Sequence, residues 1–150
     1  VCVGLHLWPP TTQTLQSRAA RPIAYQKHAN LQPTYTSPTM RWGGVLILFY
    51  VFYHLADLAF GGANPAFAPG QIHANLVTSF QRPLVSGLYV VANLALGLHL
   101  FHGLWSFFQS LGWNSPRYNP WRRRFATVFA FLITFGNVSF PVAVLLGVVR

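Results

Sequence analysis

The sequence predicts an all-α fold: a transmembrane helical bundle. Two observations support this prediction. Hydrophobic residues make up 53% of the 150 residues and charged residues only 7%, whereas a soluble domain carries about 25% charged residues. The basic residues also lie between apolar runs of about 20 residues, the length that a helix needs to cross about 30 Å of hydrocarbon.

The apolar runs define the predicted spans. We expect three full spans and the end of a fourth, over residues 42–60, 84–108, 125–149 and, for the partial span, 1–17. Pro9 and Pro10 are expected to interrupt the partial span, because proline removes a backbone donor and forces a kink or a stop. We interpret the whole chain, residues 1–150, as one transmembrane domain.

The distribution of basic residues predicts the orientation. The net charge is +9, from ten basic residues and one acid, Asp57. Eight of the basic residues fall in segments 18–41 and 109–124, which the positive-inside rule assigns to the cytoplasm. Segment 61–83 contains only Arg82 and is expected to face outward. Nucleic-acid binding is not favoured, since that function places basic residues along one face of a soluble fold.

Composition also limits the chemistry. The sequence has no Gly-rich nucleotide loop, no cysteine cluster for an iron-sulfur centre and no pair of carboxylates, so we predict no catalytic residues. The single cysteine, Cys2, excludes an internal disulfide. The chain begins at Val1 within an apolar phrase, without an initiator methionine or a signal-peptide pattern, and we expect it to be N-terminally truncated.

Histidines inside the spans are candidate haem ligands. His54 and His99 lie in the second and third apolar runs along the chain. A neutral imidazole is a strong ligand for haem iron, and coordination compensates it for the hydration lost in hydrocarbon. A hydrogen-bonded structural histidine is the alternative for each.

The depths of these histidines differ. At 1.5 Å per residue, His99 lies about 14 Å from the cytoplasmic end of its span, and His54 lies about 18 Å from the inner end of its own span. We therefore expect them in opposite halves of the bilayer, with either two haems or one haem and one structural histidine. His6 reaches a depth similar to that of His99 if its helix continues to about Arg18, so those two residues are candidates to ligate one iron.

Three phrases then resemble a known family. Residues 34–44 (TYTSPTMRWGG), 53–55 (YHL) and 97–107 (GLHLFHGLWSF), in this order, resemble the dihaem cytochrome b membrane anchor subunit of succinate dehydrogenase (succinate:quinone oxidoreductase/fumarate reductase family), in its bacterial five-helix single-anchor form. The resemblance implies a multi-pass protein of the bacterial plasma membrane that carries up to two haem b groups. It also implies that the first family helix and most of the second precede Val1.

The resemblance further implies a function and partners. Such a subunit anchors the flavoprotein and iron-sulfur subunits of succinate dehydrogenase and relays electrons from the iron-sulfur subunit to membrane quinone. It does not itself oxidise the substrate. A fumarate reductase anchor that runs in the opposite direction, and a haem-free structural anchor, are the alternatives.

Site residues follow from the same resemblance. His99 matches the axial ligand on the family's fourth helix and His6 its partner on the second, giving a haem near the cytoplasm. His54 matches the third-helix ligand of the outer haem, whose partner would lie on the first helix. Pro38 stands where the family usually has arginine, so Arg41 becomes the candidate contact for a haem propionate.

Other polar residues each have two possible interpretations. His102, one turn after His99, either bonds a haem propionate or quinone or faces the cytoplasmic interface. Asp57, one turn after His54, either handles protons beside the outer haem or is an ordinary helix-end acid. The run of Arg122, Arg123 and Arg124 is interpreted first as a topology anchor on anionic lipid and second as a docking surface.

The orientation can be tested with reporters. A reporter fused after Arg124 should read cytoplasmic, and one inserted near Gly70 should read external, because eight basic residues flank one side and two the other. Paired alkaline phosphatase and green fluorescent protein fusions measure this. The reverse pattern at both positions would contradict the depth assignments.

Overall fold

The computed structural model describes residues 1–20, 23 and 36–150, with side chains from Met40 onward in the last range. The helices are α1 (Cys2–Ala19), α2 (Thr36–His54), a π-helical segment (Leu55–Ala59), α3 (Ile72–Phe80), α4 (Pro83–Ser110) and α5 (Asn119–Leu145). The described residues contain no strand, so the all-α prediction is confirmed. Segment 18–41 is described only in part, and its Arg21, Lys27 and His28 lie outside the described residues.

The chain divides into two compact units. The first, Val1–Pro33, contains α1, and the second, Thr34–Arg150, contains the other helices. Three of the described helices are long and apolar enough to cross a membrane, and they cover Met40–Ala59, Pro83–Ser110 and Asn119–Leu145. Helix α1, interpreted from the sequence as the end of a span, is not one of these three.

Helix α1 continues through its two prolines. Both Pro9 and Pro10 lie inside the helix, so the expected interruption is not present. The hydroxyl of Thr11 donates to the carbonyl of Leu7 at 2.7 Å, and that of Thr14 donates to the carbonyl of Pro10 at 2.7 Å. Threonine hydroxyls in helices commonly donate in this way to the carbonyl four residues earlier.

Helix α5 starts earlier and ends earlier than the apolar run suggests. It begins at Asn119, because Pro120 suits the first turn, where its missing N–H costs no hydrogen bond. It ends at Leu145, and Gly147 adopts a left-handed φ of 72° just beyond the helix, the conformation that glycine accepts most easily at a helix C-terminus. Pro141 is buried inside the helix, which membrane helices tolerate.

Helices α2 and α4 pack antiparallel. Near one end, a Cβ on Gly44 would lie 3.9 Å from Cε1 of His99. Further along, the amide of Asn93 donates to the hydroxyl of Tyr50 at 3.3 Å. Residue numbers rise on α2 as they fall on α4, so the two helices run in opposite directions.

Helices α4 and α5 are also antiparallel and approach closely. The rings of Phe108 and Phe125 lie 5.9 Å apart near the connecting loop. Further from that loop, Gly97 faces Thr134 so closely that a Cβ on the glycine would lie 3.3 Å from the threonine Cβ. The absence of a side chain at Gly97 therefore permits this packing distance.

The connection between α2 and α4 contains a helix, α3, that we did not predict from the sequence. Helix α3 buries Val77 and Phe80, and its Leu76 packs partly against them. These residues, with Ile72, recur at helical spacing, a signal concealed by the surrounding glycine and proline. The ring of Phe80 lies 4.8 Å from that of Tyr89 on α4, so α3 covers this end of the bundle.

The second unit has an apolar exterior and a polar interior. More than half of each side chain is exposed at Phe49, Phe52, Phe131 and Phe135. By contrast, several buried residues are polar: Asp57, Asn64, Asn75, Ser79, Ser86, Asn93 and Arg122. This arrangement suits a lipid environment, where apolar side chains face hydrocarbon and polar groups must find partners inside the protein.

The close packing of α4 on α5 predicts a matched pair of substitutions. Gly97→Ala should destabilise the protein by about 1–3 kcal/mol through overpacking, because the Thr134 side chain occupies the space that the new methyl group needs. Gly87→Ala, on the same helix with nothing within 4 Å of the new Cβ, should cause no loss. Thermal unfolding in detergent measures both.

The double variant Gly97→Ala/Thr134→Ala should recover part of the lost stability, since it removes both branches of the threonine. Equal stability of Gly97→Ala and Gly87→Ala would contradict the packing described for these helices.

Candidate functional site

The centre of the site is Asp57, whose side chain is completely buried. It lies in the π-helical segment that follows α2. Arg82 places Nη2 2.6 Å from one carboxylate oxygen. The hydroxyls of Ser79 and Tyr89 donate to the other oxygen, Tyr89 at 3.0 Å. A buried charge is stable only when it is paired and hydrogen-bonded, and Asp57 meets both conditions.

Arg82 connects this carboxylate to the loop between the π-helical segment and α3. Its Nη1 donates to the carbonyl of Ala63 at 2.9 Å, and a third of its side chain is exposed. We did not predict from the sequence that Arg82 and Asp57 form an ion pair. The signal for pairing them was present, because Asp57 is the only acid of the chain and Arg82 is the only basic residue of segment 61–83.

His54 lies next to this cluster, half-buried at the end of α2. Its ring centroid is 5.8 Å from that of Tyr50 and 5.8 Å from that of Tyr89. Among the described residues its buried Nδ1 has no hydrogen-bond partner. The one acidic side chain of the chain, Asp57, is already paired with Arg82. His54 therefore has no carboxylate of its own to bind. This donor chemistry fits an imidazole ligand of haem iron.

His99 lies on the same helix interface at a different level. It is half-buried on α4 beside Gly44. Ten residues of α2 separate Gly44 from His54, a rise of about 15 Å. The two imidazoles are therefore too far apart along the bundle to bind one iron from opposite sides.

The other predicted site residues lie as follows. His102 is half-buried one turn beyond His99. Arg41 is exposed on α2, and the antiparallel register places it at the level of His102. His6 is exposed on α1, in the other compact unit. The structure thus brings three of these residues, His99, His102 and Arg41, toward one end of the bundle.

Arg122 closes the loop at that end. It is buried, and it donates to the carbonyl of Trp113 at 2.5 Å and to the side-chain oxygen of Asn119 at 2.6 Å. Its guanidinium lies 4.7 Å from the ring centre of Trp105, a cation–π contact. The next two arginines are exposed. Of the three arginines predicted to face lipid, Arg123 and Arg124 are exposed, whereas Arg122 is buried and stabilises the loop between α4 and α5.

The described residues contain no group of three or more His, Cys, Asp or Glu side chains that could hold a metal ion. Haem iron differs from such ions, because the porphyrin supplies four ligands and the protein adds only axial ones. Residues that could hold a haem are therefore separate histidines such as His54 and His99.

Comparison with known proteins gives the family. Residues 15–138 match the family described as Succinate dehydrogenase/Fumarate reductase transmembrane subunit. The chain belongs to this family. The match confirms the resemblance seen in the sequence and includes His54, His99, His102 and Arg41, whereas His6 lies outside it. No curated protein and no solved structure matches the chain.

Membership agrees with the three helices that can span a membrane. The protein is a multi-pass membrane subunit of the succinate dehydrogenase/fumarate reductase family. Its buried carboxylate cluster and its two interior histidines lie within the residues that the family match covers.

The ion pair predicts unequal effects of two substitutions in this membrane subunit. Arg82→Gln should lower the free energy of unfolding by about 3–5 kcal/mol, because it leaves the buried Asp57 carboxylate without a cation. Arg123→Gln, at an exposed position, should change it by no more than about 0.5 kcal/mol. Thermal unfolding of the purified subunit compares them.

The double variant Asp57→Asn/Arg82→Gln should be more stable than Arg82→Gln alone, since it removes the uncompensated charge. If Arg82→Gln is as stable as Arg123→Gln, the pair does not support this end of the bundle.

Proposed function

We propose that the chain is the membrane anchor and haem b electron relay of a succinate dehydrogenase, passing electrons from the iron-sulfur subunit to membrane quinone. The observation that carries this proposal is the environment of His54. Its half-buried ring lies 5.8 Å from each of two tyrosine rings, and its buried Nδ1 has no hydrogen-bond partner among the described residues. An imidazole held in this way is suited to bind iron.

In this proposal each histidine has a separate role. His54 is an axial ligand of the outer haem. His99 is an axial ligand of the inner haem. His102 and Arg41 bind the propionates of the inner haem, and their common level near one end of the bundle supports this assignment. Bound haem supplies a one-electron carrier whose potential is set by its ligands and surroundings.

The remaining residues shape the environment. The apolar exterior of α2 and α5 keeps the bundle in lipid, and the tight contact of Gly97 with Thr134 keeps α4 close to α5. The surrounding hydrocarbon excludes water from the bundle and strengthens the influence of nearby charges on the histidines. Since the chain has only one acid, oxidation of the dicarboxylate is assigned to the flavoprotein subunit.

The basic end of the bundle is the proposed docking side. Arg122 holds the connection between α4 and α5 in one conformation, and exposed Arg123 and Arg124 lie beside it. By the positive-inside rule this end faces the cytoplasm of a bacterial cell. The iron-sulfur subunit would bind there, with the inner haem as the first electron acceptor in the membrane.

Haem content tests the proposal. In the purified complex, His54→Ala and His99→Ala should each remove one haem, because each deletes the ligand of a different site. His73→Ala is the matched control, since His73 is exposed on α3 and should keep the full complement. The pyridine haemochrome assay measures haem per complex, and size-exclusion chromatography verifies assembly.

Full haem content in both variants would refute the ligand assignments. A wild-type complex with no reduced-minus-oxidised haem spectrum would favour the haem-free structural anchor.

A further inference from the structure

Tyr89 joins His54 to the buried charge pair. It is only 3% exposed. Its ring lies 5.8 Å from the His54 ring at an interplanar angle of 61°, and its hydroxyl donates to Asp57 at 3.0 Å. One side chain on α4 thus contacts an imidazole on α2 and a carboxylate on the next segment.

The position of Tyr89 is fixed from several directions. Its ring makes edge contacts with Phe80 at 4.8 Å and with Tyr50 at 5.3 Å, geometries that aromatic pairs prefer. Its backbone carbonyl accepts a hydrogen bond from the Asn93 amide at 2.8 Å. These contacts hold the Tyr89 ring in one orientation against His54.

The π-helical segment fixes the carboxylate. It begins at Leu55, directly after His54, and the N–H of Phe60 donates to the carbonyl of Leu55 at 2.9 Å. This widened turn places Asp57 inside the bundle, where Arg82 and Ser79 hold it from the loop and from α3. Such π-helical turns occur frequently at functional sites.

We propose that Tyr89 is a positioning residue for His54 and couples it to the Asp57–Arg82 pair. Its ring sets the orientation of the imidazole, and its hydroxyl bond partly neutralises the carboxylate beside the ligand. The pair thereby tunes the reduction potential of the outer haem. This inference rests on the proposed role of His54 as an axial ligand.

Two substitutions should shift that potential in opposite directions. Tyr89→Phe keeps the ring but removes one donor from Asp57, so the carboxylate becomes more negative toward its surroundings and the oxidised haem is favoured. The midpoint potential of the outer haem should fall. Asp57→Asn removes the negative charge while Arg82 remains, so the reduced haem is favoured and the potential should rise.

Tyr50→Phe is the matched control. The Tyr50 ring lies as far from His54 as that of Tyr89, but its hydroxyl accepts from Asn93 instead of donating to Asp57. Redox titration of the complete complex, followed in the visible spectrum, gives the potential of each haem. Electron paramagnetic resonance of the ferric complex reports the orientation of the axial ligands.

We expect the outer-haem potential and its largest g value to change in Tyr89→Phe, with the inner haem unchanged and Tyr50→Phe close to wild type. Loosened packing alone would not give opposite shifts in Tyr89→Phe and Asp57→Asn. If Asp57→Asn fails to assemble, the potentials and g values of Tyr89→Phe and Tyr50→Phe still test the positioning role.

Two results distinguish failure of the Tyr89 positioning role from failure of the His54 ligand assignment. If His54→Ala loses one haem while Tyr89→Phe matches Tyr50→Phe in both potential and g values, the positioning role is overturned and the ligand assignment stands. If His54→Ala retains both haems, the ligand assignment is overturned, and the positioning role with it.

Discussion

The ion pair between buried Asp57 and Arg82 holds together one end of this membrane subunit. Its hydrogen bonds join the π-helical segment after α2, helix α3, helix α4 and the loop at Ala63. A charge in a low-dielectric interior is costly unless its partners are all in place. The segments that supply those partners are therefore constrained together, and His54, three residues before Asp57, is positioned by the same contacts.

Polar contacts continue from this cluster into the centre of the bundle. Asn93 on α4 donates to Tyr50 on α2 at 3.3 Å and accepts from Asn137 on α5 at 3.0 Å. Such bonds join helices whose apolar side chains gain little from each other in lipid, because hydrocarbon solvates those side chains equally well. Polar bonds and close contacts at small residues, as at Gly97, then provide specific packing.

The sequence was sufficient to predict the features that depend on length and hydropathy. Runs of apolar residues identified the three spans, because a helix that crosses hydrocarbon needs about 20 such residues. The family was recognisable from phrases around His54 and His99, and the match over residues 15–138 confirmed it. Spacing along helices also sufficed to place those two histidines at different levels of the helix bundle.

Features that depend on tertiary contacts were missed or misjudged. Helix α3 lay in a segment whose glycines and prolines suggested loop. Tyr89 was not singled out, since its role depends on neighbours from three elements. Arg122 looked like its two exposed neighbours, but the fold turns it inward onto Trp105. Pro9 and Pro10 argued for an interrupted helix, while α1 continues through them.

The central claim is that His54 and His99 bind two separate irons. Anomalous diffraction at the iron edge, from crystals of the complete complex, tests it most directly. The account predicts one iron peak at bonding distance from the His54 ring and a second at bonding distance from the His99 ring. A map in which neither histidine adjoins an iron, or in which one iron lies between them, would contradict it.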